Sequence, residues 1–366
     1  MLTIDIFKNE DIIKDFKSIF KDNKKIDEKK IVKAIHDKTK ENISLVSDGI
    51  YSELKADMVR MYTDEETASK EFKTLLHKQW YEGFLILQGI IKFCEDASIR
   101  LLKEFSSEDQ SDSKRTLILK VLFKLHSKGV QVSKEVLTLL KSGFSDGALA
   151  RWRSLHELNV ILKALSYKFS DIDFTYNLTR RYLDYSEIER IKEIYTFKKV
   201  TGLLNLDPIS SEDKKKYREI KESIIKKYGK NFEKPNMWAK PLFPNIKDRQ
   251  IYFSDFEKLV GIDRLNPYYK QANYQIHASP KGIYQSLSML PSNKQESFYL
   301  YGGSNYGISL PGELTGISLS QITISLLLLE SNEDRLVMSK ILGKFVDDCS
   351  VNFSKIQKQI REIDNE

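Results

Sequence analysis

The first 207 residues of this chain contain no proline, and all eight prolines fall between Pro208 and Pro311. A proline inside a helix removes a backbone hydrogen bond and clashes with the preceding turn, at a cost of about 3 kcal/mol. A proline-free stretch of this length permits long, uninterrupted helices. Strand signals are weak. No run of β-branched residues alternates cleanly, and no Asn-Gly or Asp-Gly turn separates two such runs. The expectation is an all-α protein, a multi-helix bundle with long helices and a proline-containing irregular insertion.

The helices can be placed from periodicity and caps. Residues 8–60 read as two or three lysine-rich amphipathic helices. Thr63 and Glu66 fit a capping box, which would open a helix running through Trp80 to about Phe105, with bends at Gly83 and Gly89. A polar loop is expected over 106–113. A helix follows from about Lys114 and stops at Gly129, and Ser133 caps the next one up to Gly143. Further helices are expected from Ser145 to about Tyr167 and from Phe174 to Thr201. Residues 205–250, with Pro235, Pro241, Pro244, Trp238 and Phe243, read as a lid-like insertion. Short helices follow over 254–259 and 267–277, the latter ended by Pro280. A buried helix near 316–330 and a C-terminal helix over 333–363 complete the chain. Two regions result: an N-terminal one over 1–110, and a helical core over 111–366 that carries the insertion.

The 366 residues can fill a sizeable core, since 41% of them are hydrophobic. A formal net charge of +7 permits contact with nucleic acid without arguing for it. The two cysteines, Cys94 and Cys349, lie far apart without metal-ligand spacing. Free buried cysteines fit a reducing cytoplasm. The apolar run ending at Leu329 is too short to span a bilayer. No membrane association, cofactor or metal is expected.

Ala150-Arg-Trp-Arg-Ser-Leu-His-Glu-Leu158 puts two arginines, a histidine and a carboxylate into an apolar helical run. Apolar residues fall on nearly all sides of that helix, so it is central and largely buried. Burying a charge costs several kcal/mol unless it is paired. Arg153, His156 and Glu157 stand at i, i+3 and i+4 and can meet. Arg151 precedes His156 by five residues and points about 140° away on a regular helix. As a site, His156 would exchange protons, an arginine would hold a phosphate, and Glu157 would orient its neighbours. As structure, Arg153 and Glu157 would form an ion pair that fixes packing, with His156 bonded to a neighbouring helix. His277 shares a helix face with Asn273 and lies in the last turn, either as a C-terminal cap or as a protonated partner of the cluster. Tyr274, and Arg181 with Tyr182 and Tyr185 beside it, are candidates for contact with a substrate or base. His36, His77 and His126 read as surface or boundary residues. Gly302 to Gly307 is not a nucleotide-binding glycine pattern.

Gly143-x3-Gly147-Ala148-x-Ala150-Arg-Trp-Arg-Ser-Leu-His-Glu-Leu158, Arg181-Tyr-Leu183 and Tyr269-x4-Tyr274-x2-His277-Ala-Ser279 together resemble a bacterial all-helical family of unknown function, over about 115–330. Its pattern is similar to that of the HEPN superfamily. Active members of that superfamily are dimeric, metal-independent ribonucleases with Arg-x4–6-His, found in toxin–antitoxin and anti-phage systems. The chain differs in carrying Trp152 where that pattern has a small polar residue after the arginine, which brings forward Arg153, Glu157 and His277 as an alternative polar centre.

The resemblance implies a cytoplasmic ribonuclease or defence effector, a homodimer acting on RNA, with a partner protein encoded nearby. Arg151, Arg153, His156, Glu157 and His277 would be its catalytic residues, and Asn273, Tyr274 and Arg181 its substrate contacts. The residues leave two other readings open. One is a non-catalytic helical interaction protein that uses the proline segment 235–244. The other is a nucleotide-ligand sensor lined by Arg153, Glu157 and His277.

Overall fold

The computed structural model describes residues 28–107, 112–197, 210–247, 249–277, 279–289 and 299–363. Every regular element among them is helical. The chain divides into two compact units, Met1–Phe72 and Lys73–Glu366.

The described part of the first unit lies on α1 (Glu28–Gln79), a single helix of 52 residues. The several helices expected over 28–60 are therefore one, while residues 8–27 fall outside the described residues. Thr63 does not start a helix. Its hydroxyl donates to the Val59 carbonyl, four residues back, inside the continuous helix. The break comes at Trp80, just before α2 (Tyr81–Ser107). Trp80 is wholly buried, and its indole N–H donates to Asn305.

In the second unit, α2 is followed by α3 (Ser113–Lys141), α4 (Ser145–Leu165) and α5 (Ile172–Phe197). Asp112 caps α3 by accepting from the amides of Lys114 and Arg115. Gly129 does not end this helix. A side chain there would stand 3.2 Å from Ile322 and 3.5 Å from Leu155, so the glycine permits close packing. Ser133 is interior as well, its hydroxyl donating to the Gly129 carbonyl. The helix ends at Gly143, which takes a positive φ of 79° that suits a residue without Cβ.

Next comes α6 (Ser211–Tyr228), capped by Ser210. Two 3₁₀ turns (Lys230–Glu233 and Met237–Leu242) lead to α7 (Phe253–Leu259), α8 (Asn266–Ile276) and the short α9 (Pro280–Tyr284). Pro280 opens α9 behind the Ser279 cap and does not terminate α8. The last helices are α10 (Ser309–Leu327) and α11 (Glu333–Ile363).

The hydrophobic α10 is the axis of the unit and packs against α2, α3, α4 and α11. Its hydroxyls are largely satisfied in place. Ser318 accepts from the Trp152 indole, and Thr323 bonds both the Leu319 carbonyl and His126. His126 is thus a core residue and not a boundary one. Its burial pushes the imidazole down to about 4. Phe353 of α11 wedges between two glycines. A Cβ would stand 3.0 Å from its ring at Gly83 and 2.6 Å at Gly312. Gly83 therefore serves close packing, and α2 runs through both it and Gly89. Cys94 and Cys349 are both free and buried. No described helix is long and apolar enough to cross a membrane.

Candidate functional site

The polar residues of α4 point in three directions. Arg151 turns toward α3, where its Nε donates to Glu135, and a second guanidinium nitrogen reaches Ser154 at 3.2 Å. Arg153 and Glu157 turn toward α8. One Arg153 nitrogen lies 3.1 Å from Glu157 and 3.1 Å from the Tyr269 hydroxyl, which itself donates to Glu157 at 2.7 Å. His156 turns toward α7. Its Nε2–H donates to Glu257 at 2.8 Å, and both side chains are 0% exposed. The second Glu257 oxygen accepts from Asn266 at 2.5 Å. Arg151 and His156 serve different neighbours, as their five-residue spacing on a regular helix requires.

Aromatic rings close around the imidazole. Trp152 stacks on it at 5.3 Å, while Tyr269 and Phe253 lie 5.6 and 5.9 Å away. Phe253 and Tyr269 stack on each other at 4.8 Å, so α7 and α8 form one cap over α4. Burial, reinforced by the Glu157 carboxylate that accepts its hydrogen bond, pushes the Tyr269 phenol up to about 12. Tyr269 is therefore a neutral donor at physiological pH. Three buried polar atoms around this cap have no protein partner: His156 Nδ1, Arg153 Nε and Asn273 Oδ1.

The other candidates are placed apart. His277 is exposed at the end of α8. Its backbone N–H donates to the Asn273 carbonyl, and its ring forms no contact with Arg153, His156 or Glu157. Tyr274 lies under Lys281, whose ammonium is 4.4 Å from the ring centroid. The two line a 270 Å³ cleft with Lys270 and three glutamines. Arg181 donates to the carbonyls of Trp238 and Met237 at 2.8 and 2.9 Å, with its guanidinium over Tyr228 and Phe232. This clamps the proline-containing segment to α5. Trp238, Ala239 and Phe232 are buried there, so the aromatic face of the segment is spent on internal packing.

Sequence reasoning missed Glu257, the buried hydrogen-bond partner of His156. A signal was available. Phe253, Phe256, Glu257 and Val260 stand at i, i+3, i+4 and i+7, which puts a carboxylate on the apolar face of its helix. It also missed Asp146, which accepts from the amides of Leu287 and Ser288 at 2.8 and 3.3 Å and ties that loop to the start of α4. Asp146 gives no such signal, because it reads as an ordinary first-turn carboxylate.

An apolar opening lies between α2 and α3. It is a groove of about 500 Å³ floored by Ile99, Leu102, Phe105, Leu119 and Phe123 and edged by Lys120 and Lys124. Arg115, also at its edge, is engaged by Glu330 at 2.7 Å.

Residues 119–295, a little under half of the chain, match a family model described as a family of unknown function, DUF5677. The match takes in most of α3 and all of α4 to α9, and thus the polar cluster together with its cap. No curated protein and no solved structure matches the chain.

Proposed function

We propose that this chain is a non-catalytic helical interaction protein, and that its Arg–His–Glu cluster is a structural fastening of α7 and α8 onto α4. One observation carries the reading. His156 and Glu257 are wholly buried and bonded to each other, beneath an aromatic cap. A general acid or base has to come within hydrogen-bond reach of the group it serves. The imidazole in this arrangement is wholly enclosed by its own fold. Incubation of the purified chain with total RNA in EDTA should leave the RNA intact, and His156→Ala should lower the melting temperature. Metal-independent cleavage that His156→Ala abolishes while the fold survives would overturn the reading.

A second reading follows from the resemblance of the Ala150–Leu158 segment to the HEPN pattern. In it the chain is a cytoplasmic, homodimeric endoribonuclease of a defence or toxin system. His156 is the acid/base and Arg151 or Arg153 the phosphate holder. The unspent hydrogen-bonding capacity of His156 Nδ1 and Arg153 Nε favours it. So does the partial exposure of Arg153 and Glu157. It requires α7 and α8 to withdraw from α4. An Arg153→Ala variant that keeps its melting temperature and loses RNA cleavage would support it. Intact RNA under every activating condition would exclude it.

A further inference from the structure

Helix α1 carries an apolar stripe that the polar cluster does not explain. Its 52 residues make a rod of roughly 78 Å. Isolated helices gain most of their stability by burying an apolar face against a partner. Ile43, Val46, Ile50, Leu54, Met58 and Met61 recur every three or four residues and form one stripe along it. Ile43 is 51%, Met58 58% and Met61 44% exposed. Val46, Ile50 and Leu54 are half-buried.

The charge along α1 is segregated. Residues 28–40 hold five lysines and two carboxylates; residues 41–72 hold eight carboxylates and three basic residues. The first part is thus +3 and the second −5, from these same counts. Two copies laid parallel would set like against like. Laid antiparallel, the basic part of each would lie along the acidic part of the other.

The middle of the stripe maps onto itself under that reversal. With a twofold axis at Ile50, Val46 of one copy meets Leu54 of the other, Ile43 meets Asp57 and Met58, and Met61 meets Thr39. Lys33 then falls beside the acidic run Asp64-Glu65-Glu66.

We propose that α1 is a self-association helix, and that two copies of this chain pair antiparallel through the Ile43–Met61 stripe about a twofold axis at Ile50. The partner is a second copy because one sequence supplies both the self-complementary stripe and the opposite charge blocks.

Light scattering on the eluting full-length chain, at micromolar concentration, should give the mass of two chains. Raised salt should shift it toward one chain, because the charge blocks are solvent-exposed. Ile50→Lys should give one chain that keeps the helical circular dichroism of the second unit, with any loss no larger than the share of α1. Oxidative cross-linking fixes the direction, since native Cys94 and Cys349 are buried. Ile50→Cys should link to itself. Met61→Cys should not link to itself, because the two copies stand about 33 Å apart in the antiparallel pair. A mixture of Met61→Cys and Thr39→Cys should link. A single-chain mass for the parent at every concentration would overturn the proposal, and so would an Ile50→Lys variant that remains a dimer. Self-linking of Met61→Cys would replace the antiparallel pair with a parallel one.

Discussion

Replacing Glu257 with leucine tests what the buried pair contributes. The carboxylate bonds His156 at 2.8 Å and Asn266 at 2.5 Å, and neither Glu257 nor His156 reaches solvent. Glu257→Leu therefore strands an imidazole whose other nitrogen already has no partner. Removing one member of a buried hydrogen-bonded pair leaves the other unsatisfied, at a typical cost of about 1–3 kcal/mol. In a unit of this size that lowers the melting temperature by several degrees. His156→Leu should cost a similar amount by stranding the carboxylate. The double variant removes both polar groups together and should be less destabilised than the sum, by about 2 kcal/mol. Urea titrations of the parent, both single variants and the double variant, followed by circular dichroism, measure all four corners of the cycle. Single variants within about 0.5 kcal/mol of the parent, or strictly additive losses, would refute the claim that the pair fastens the cap.

His126 should make stability pH-dependent. Burial lowers its folded-state value from 6.5 to about 4, so the unfolded chain binds the proton more readily between those limits. Its contribution is fully present above about pH 6.5, declines as the pH falls, and has cost about 3 kcal/mol by pH 4; His126→Gln should flatten that part of the stability curve. Burial likewise pushes the Cys94 and Cys349 thiols up to about 12. Both should be silent toward a disulfide-based thiol reagent at pH 8 and react fully once denaturant is added; fast labelling of the native chain would contradict this. Gly312→Ala should destabilise by about 1–3 kcal/mol through the clash with Phe353, while Gly89→Ala, with open space around it, should be neutral or better in the same denaturation assay.

The class of fold was legible because proline and capping chemistry act locally. Gly143 and the limits of α11 could both be read from neighbouring residues. Two of the misplaced boundaries share one cause. Gly129 and Ser133 are stop or start signals only when the helix has nothing to gain by continuing. Gly129 instead lets α3 approach Ile322 and Leu155, and Ser133 satisfies itself on the turn behind it. Tertiary packing overrode the local preference. At the cluster, helix geometry separated Arg151 from His156 and paired Arg153 with Glu157, because all four sit on one helix. The partners from α7 and α8 could not be assigned, since Glu257 is 101 residues from His156 and Tyr269 is 116 from Arg153. His277 was grouped with the cluster from its place in the last turn beside Asn273 and from the resemblance, and α8 ends with that ring facing solvent.

The seating of Phe353 between Gly83 and Gly312 sets an order of events during synthesis. Both glycines leave the ribosome before the aromatic ring that fills the gap between them. Until α11 follows, α2 and α10 have a slot with nothing to occupy it, and their apolar faces stay open to other chains. The core of the second unit therefore closes only once α11 has been made, because the Phe353 ring is what fills the space at both glycines.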